Sequence, residues 1–186
     1  MPHIHVPAEL PGIGALFAYR PDTGAAMRAL AEALLVGESP LGRGERETIA
    51  AYVSHRNACR FCTESHAAAA RHLLGERCDL VDAVLHDVAR APLDEKLRAL
   101  LAIAAKVQGD ARTVSAEDVA AARAAGAGDR DIHDTVLIAA AFSMFNRYVD
   151  GLAASTPTDP AVYDAMGRRL AEQGVAVSPE TLIVAD

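Results

Sequence analysis

Residues 43–75 read RGERETIAAYVSHRNACRFCTESHAAAARHLLG, and the fold turns on how this stretch is parsed. No proline interrupts it, and its first break is at Asn57, so a helix is expected from about Arg43 to Arg56, with Asn57 offering the turn. A second helix is expected to begin near Cys59 and run through Leu74, closing at Gly75, a residue that accepts left-handed backbone. Two helices joined by so short a turn fold back on each other.

That parsing gathers the reactive residues. Cys62 follows Cys59 by three positions and His66 follows Cys62 by four, so the three side chains share one helical face. Positions i and i+3 at a helix entrance hold their Cα atoms within the roughly 4.4–6.8 Å that a disulfide tolerates. A helix amino terminus and a neighbouring imidazole both favour a thiolate, as does Arg60 if it folds back, and Cys62, closest to His66, is the better-activated thiol. Antiparallel packing of the preceding helix returns the Glu47 carboxylate to His66, directly or through one water.

Outward from this hairpin the same cues give an all-α, single-domain bundle of about seven to eight helices. Residues 1–22, with Pro2, Pro7, Pro11 and Pro21, are expected to form an extended arm that wraps a neighbour or its own domain. A first helix is expected from about Gly24 to Val36, ended by residues 37–40. Later helices are expected at Asp79 to Val88, at Asp94 to Val107, and from a cap at Ser115 to Gly126. Asp131 to about Leu152 carries Ile138, Phe142, Phe145 and Val149 on one face, and a last helix covers Ala161 to Gln173. The tail from Val175 to Asp186 is apolar enough to dock on something.

Length and composition agree. A chain of 186 residues buries one substantial core, and alanine-dominated apolar content without Trp favours closely packed helices. The net charge of −7, with basic residues scattered among acidic ones, supplies no footprint for nucleic acid. The first fourteen residues resemble neither a signal peptide nor an anchor, and no apolar run reaches membrane-spanning length, so a cytoplasmic protein without a membrane partner is expected. Three cysteines, two of them in a Cys-x-x-Cys pair, read in a reducing compartment as a redox or metal site.

A faint repeat at an offset of 52 residues matches Pro40 and Leu41 with Pro92 and Leu93, and residues 69–71 with 121–123. Residues 40–75 are then a catalytic helical hairpin and 92–126 a degenerate second copy, with Ala111, Val114 and Asp118 where the first has Cys59, Cys62 and His66.

Glu47, Cys59, Cys62 and His66, at spacings of 12, 3 and 4, resemble the signature of the alkylhydroperoxidase D-like proteins, within the wider carboxymuconolactone decarboxylase superfamily. The likeness extends to residues 10–12 (LPG), 39–41 (SPL), 145–147 (FNR) and 150–152 (DGL), over about three quarters of the chain. The resemblance implies an all-helical homo-oligomer (dimer, trimer or hexamer) that reduces hydrogen peroxide or organic hydroperoxides without a cofactor or metal. It implies Cys62 as the peroxidatic thiol, Cys59 as the resolving one, and His66 with Glu47 as the proton relay. The disulfide would be reduced by an external dithiol, a lipoyl-bearing protein among the candidates. The best-known members place a histidine just before the second cysteine, where this chain has Phe61.

Other readings compete. Cys59, Cys62 and His66 with Glu47, His55 or His72 make a zinc set, although structural zinc usually takes its second ligand pair from a separate knuckle. The cysteines are also compatible with an inert core, with a redox-sensing module that oxidises once and changes an interface, and with a decarboxylase-like enzyme of the same superfamily. Cys78 reads as a small core residue, and His3, His5, His72, His86 and His133 as surface or capping residues.

Overall fold

The hairpin of residues 43–75 forms with the expected bounds. In the computed structural model, which describes residues 1–176, α3 spans Arg43–Arg56 and α4 spans Arg60–Leu74. Glu45 reaches back to accept a hydrogen bond from the Gly42 N–H at 2.7 Å, which caps the start of α3. The chain then turns through Asn57 and Ala58, and Ala58 adopts φ 58°, a left-handed conformation that costs a residue with a Cβ about 1 kcal/mol. That turn leaves Cys59 as the N-cap of α4.

The remaining helices are α1 (Ile13–Tyr19), α2 (Pro21–Leu35), α5 (Asp79–Asp87), α6 (Glu95–Asp110), α7 (Ala116–Ala124), α8 (Asp129–Gly151) and α9 (Pro160–Gln173). Caps set several of these starts. Asp94 accepts from the Leu97 N–H at 2.8 Å, Ser115 and Asp118 form a reciprocal box, and Asp159 caps α9 with Pro160 at its first position.

Helix α1 corrects the expectation of an extended arm through residue 22. Ile13, Leu16 and Phe17 stand at i, i+3 and i+4, and Leu16 and Phe17 are buried, so this segment has a helical apolar face. Pro21 does not break the chain either, because it occupies the first position of α2, where a missing N–H costs nothing. Only residues 1–12 keep the character of an arm. They lie on their own chain, with the His3 N–H donating to the Leu152 carbonyl at 2.9 Å and the Gly12 N–H to that of Ser155 at 2.8 Å. With α1 added, nine α-helices are present among the described residues.

α4 is held between α3 and α9. The buried run Ala67–Ala70 lets α9 approach so closely that a Cβ on Gly167 would sit 2.5 Å from the Ala68 Cβ. α8 crosses α3 and α6, and its Ile138, Phe142, Phe145 and Val149 are all buried, as the periodicity predicts. The main core joins these to Leu35, Ile49, Val53, Leu97, Leu100 and Leu101, while a second cluster gathers Leu16, Phe61, Val149 and Tyr163 around the two cysteines. Val175 packs on the main core, and residues 177–186 of the expected docking tail lie outside the described residues. Among the described residues no helix is long and apolar enough to cross a membrane.

Candidate active site

Helix register and the Ala58 turn place Cys59 at the mouth of α4 and Cys62 in its first turn, both as free thiols. They are deeply enclosed, Cys59 at 0% and Cys62 at 3% exposure. Part of the cover comes from the arm and the start of α1: Ile4, Val6 and Ile13 pack against the same cluster, and Gly12 lies so close to the Phe61 ring that a Cβ there would come within 2.2 Å of it. The φ of 54° at Gly12 adds a second reason for glycine at this position.

This enclosure reverses one sequence expectation. The Cys62 thiol is held well above the ordinary thiol range, first by its hydrogen bond to Cys59, then by burial and by the Cys59 charge, with a hydrogen bond from Asn146 opposing. Arg60, which would favour the thiolate only if it folded back, is exposed. The resting Cys62 is thus held as a neutral thiol, and ionising it requires a base nearby.

A pH dependence of stability follows. Cys62 binds its proton more tightly folded than unfolded, so the unfolded chain releases it first as pH rises above the ordinary thiol value of 9.0. The stability from keeping this thiol neutral is complete below that value and is lost above it, by up to ~1.4 kcal/mol per pH unit. Urea midpoints between pH 7 and pH 10 should therefore fall more steeply for the native chain than for Cys62→Ser, and parallel curves would refute the assignment.

His66 lies one turn beyond Cys62 on α4. Its Nδ1 is 2.6 Å from Glu47 Oε2, and Glu47 is only 1% exposed, so the contact from α3 is direct and needs no water. A carboxylate at Nδ1 holds the proton on that nitrogen and leaves Nε2 as the acceptor. The ring is also fixed by an edge-on contact with Phe142, centroids 4.6 Å apart at 89°. Glu47 and His66 are therefore brought together, as are Cys59 and Cys62.

The zinc alternative is not assembled: His66 is bonded to Glu47, His72 to Asp164 at 2.8 Å, and His55 is exposed. Cys78, read as a core residue, is half-buried instead, on a cleft shared with His72, Tyr163 and Asp164. It stands between the 3₁₀ turn Gly75–Arg77 and the start of α5.

Asn146 of α8 was not among the expected site residues, although it stands within the FNR motif. It is 1% exposed, accepts from Asn57 Nδ2 at 2.8 Å and donates to Ser54 Oγ at 3.0 Å. The available signal was a carboxamide four residues after Phe142, on the buried face of a helix where an apolar residue is the norm.

Comparison with known proteins agrees with the all-helical fold. A profile of the carboxymuconolactone decarboxylase family matches residues 21–91, the segment that holds Glu47, Cys59, Cys62 and His66. The chain is similar to the crystal structure of an uncharacterized peroxidase-related protein of Ralstonia eutropha JMP134, described as an alkylhydroperoxidase AhpD core. The two are 30% identical over 86% of this chain and 82% of that one, with a TM-score of 0.76. It is similar also to an uncharacterized peroxidase-related protein of Silicibacter sp. TM1040, at 32% identity and a TM-score of 0.76, over 85% of this chain and 81% of that one. A protein of unknown function from Agrobacterium tumefaciens shares the fold, at 21% identity and a TM-score of 0.70, over 86% of this chain and all of the other. No curated protein matches the sequence.

Proposed function

The chain belongs to the alkylhydroperoxidase D-like branch of the carboxymuconolactone decarboxylase superfamily, and from that premise we propose that it is a thiol-dependent peroxidase working through Cys59 and Cys62. The observation that carries the reading is the pair of adjacent free thiols at the mouth of α4, one helical turn from an imidazole locked to a buried carboxylate.

In this reading His66 Nε2 takes the Cys62 proton, and Glu47 stabilises the imidazolium that forms. The thiolate attacks the terminal oxygen of a hydroperoxide; the O–O bond breaks, and the leaving alkoxide takes the proton back from His66 and departs as an alcohol, or as water from hydrogen peroxide. Cys62 is then a sulfenic acid. Cys59 sulfur attacks it, the S–O bond breaks, water leaves, and the disulfide forms with no shift of other elements. An external dithiol, of the lipoyl-bearing kind or another small carrier, restores both thiols by exchange and is itself oxidised. The apolar walls from Leu16, Phe61, Val149 and Tyr163 suit an organic hydroperoxide as well as hydrogen peroxide. A homo-oligomer in the cytoplasm belongs to the same proposal.

One observation favours a second reading. Two thiols this enclosed, with the Cys62 proton held tightly, also suit a sensor that oxidises once and changes a partner surface. Thiol counting separates the two. One equivalent of peroxide should remove two of the three titratable thiols together, leaving Cys78, and added dithiol should then support repeated turnover. A single stoichiometric oxidation would favour the sensor, and no peroxide consumption with any dithiol donor would remove the peroxidase.

A further inference from the structure

The turn through Asn57 and Ala58 is gripped by two helices that it does not belong to. Asn57 Nδ2 donates to Asn146 Oδ1 of α8 at 2.8 Å and to Ser143 Oγ at 3.5 Å, while Asn57 Oδ1 accepts from Gln108 Nε2 of α6 at 2.9 Å. Arg56 Nε donates to Gln108 Oε1 at 2.9 Å, and Asn146 Nδ2 donates to Ser54 Oγ at 3.0 Å. A guanidinium has donors only, so this pattern fixes the oxygen and nitrogen ends of all three carboxamides.

The grip falls on a strained link. Ala58 stands at φ 58°, where a residue with a Cβ is disfavoured and glycine is not. The next residue is Cys59, whose own backbone is fully engaged. Its N–H donates to the Ser54 carbonyl at 3.0 Å, and its carbonyl accepts from the Thr63 N–H at 3.0 Å and from Thr63 Oγ1 at 2.8 Å. With φ −82° and ψ 93°, Cys59 is extended and leads into α4 as its N-cap. The direction in which its side chain leaves the backbone is therefore set by the turn before it, and a disulfide tolerates only a narrow range of Cα and Cβ separations.

We propose that Asn57 is a positioning residue for the thiol pair. By bridging Gln108 of α6 and Asn146 of α8 it holds Ala58 in left-handed backbone, and so presets Cys59 for closure of the disulfide on Cys62. The proposal rests on the reversible closure of that pair in the reading above, and not on peroxide as the oxidant. Closure is favoured by as much as the grip favours this turn over a relaxed one.

The test is the equilibrium between the reduced full chain and oxidised dithiothreitol. This cyclic disulfide takes two electrons and two protons from the cysteine pair and is released as the dithiol. Mixtures are acid-quenched, alkylated and read by intact mass, where three adducts mark the open chain and one, on Cys78, the closed pair. Asn57→Ala should lower the closure constant about tenfold, the size of one net hydrogen bond. Ala58→Gly alone should change it less than about twofold, yet should bring Asn57→Ala back to within about threefold of native, because glycine takes this φ unaided. A general loss of packing would not be repaired by a glycine at an exposed position. An unmoved constant in Asn57→Ala overturns the proposal, and so does a double variant that stays as low as the single one. Should Asn57→Ala not fold, Gln108→Met decides: a fall of about threefold supports the proposal and no change overturns it. Peroxide turnover of the native chain is measured alongside. Shifted constants without turnover lose the peroxidase reading and keep Asn57, turnover with unmoved constants does the reverse, and a native chain that closes no disulfide loses both.

Discussion

Replacing Cys62 by serine is expected to abolish peroxide consumption, at least ~10³-fold below the native chain with dithiol in excess. A hydroxyl has neither the nucleophilicity nor the accessible oxidation states to break an O–O bond, so nothing else in the site takes over the step. The substitution is nearly isosteric, so stability should change by only about 1 kcal/mol. Cys59→Ser should behave differently. The first step proceeds, one equivalent of peroxide is consumed per chain, and the sulfenic acid on Cys62 persists long enough to be trapped by dimedone and seen by mass. The pair of variants also tests the rival chemistry of the wider superfamily, because a proton-transfer enzyme of the decarboxylase kind would barely notice either change. Turnover surviving in Cys62→Ser would end the peroxidase reading.

Why these residues were legible in the sequence, and others were not, follows from the range over which each signal acts. Cys59, Cys62 and His66 lie on one helix, where spacing alone fixes a shared face, and Glu47 lies on the helix joined to it by a two-residue turn. The bounds of α3 and α4 were readable for the same reason, since Asn57 and Gly75 mark their ends locally. α1 was obscured because prolines at positions 11 and 21 read as breakers, whereas Pro21 starts α2 and the face of Ile13, Leu16 and Phe17 becomes a helix by packing on its neighbours. Asn146 is more than eighty residues from Cys62, and only the crossing of α8 over α3 brings its carboxamide to Ser54 and Asn57, at the end of α3 and the turn before the cysteine pair. The proton affinity of Cys62 departs from the local reading on the same ground. The local field of a helix entrance favours a thiolate, but the arm residues Ile4 and Val6 and the neighbouring Cys59 sulfur arrive through tertiary structure and outweigh it.

Because the resting thiol is held neutral, the Glu47–His66 pair carries more of the reaction than an imidazole beside an already ionised sulfur would. Glu47→Gln keeps the shape of the side chain while removing its charge, and should lower the rate of sulfenic acid formation by about 10²-fold at pH 7. Two effects contribute. A carboxamide offers an N–H as readily as an oxygen to His66 Nδ1, so the ring loses its fixed tautomer and Nε2 is no longer reliably the acceptor. The imidazolium that forms on taking the Cys62 proton also loses its counter-charge in a site where Glu47 is 1% exposed and little water compensates. The defect should shrink as pH rises, because hydroxide increasingly removes the proton that His66 no longer takes, and that convergence distinguishes a lost base from a merely disturbed fold. Single-turnover oxidation followed between pH 6 and pH 10 measures it directly. A rate deficit of constant size across that range would mean that Glu47 only braces α3 against α4, and an unchanged rate at pH 7 would remove the relay from the mechanism.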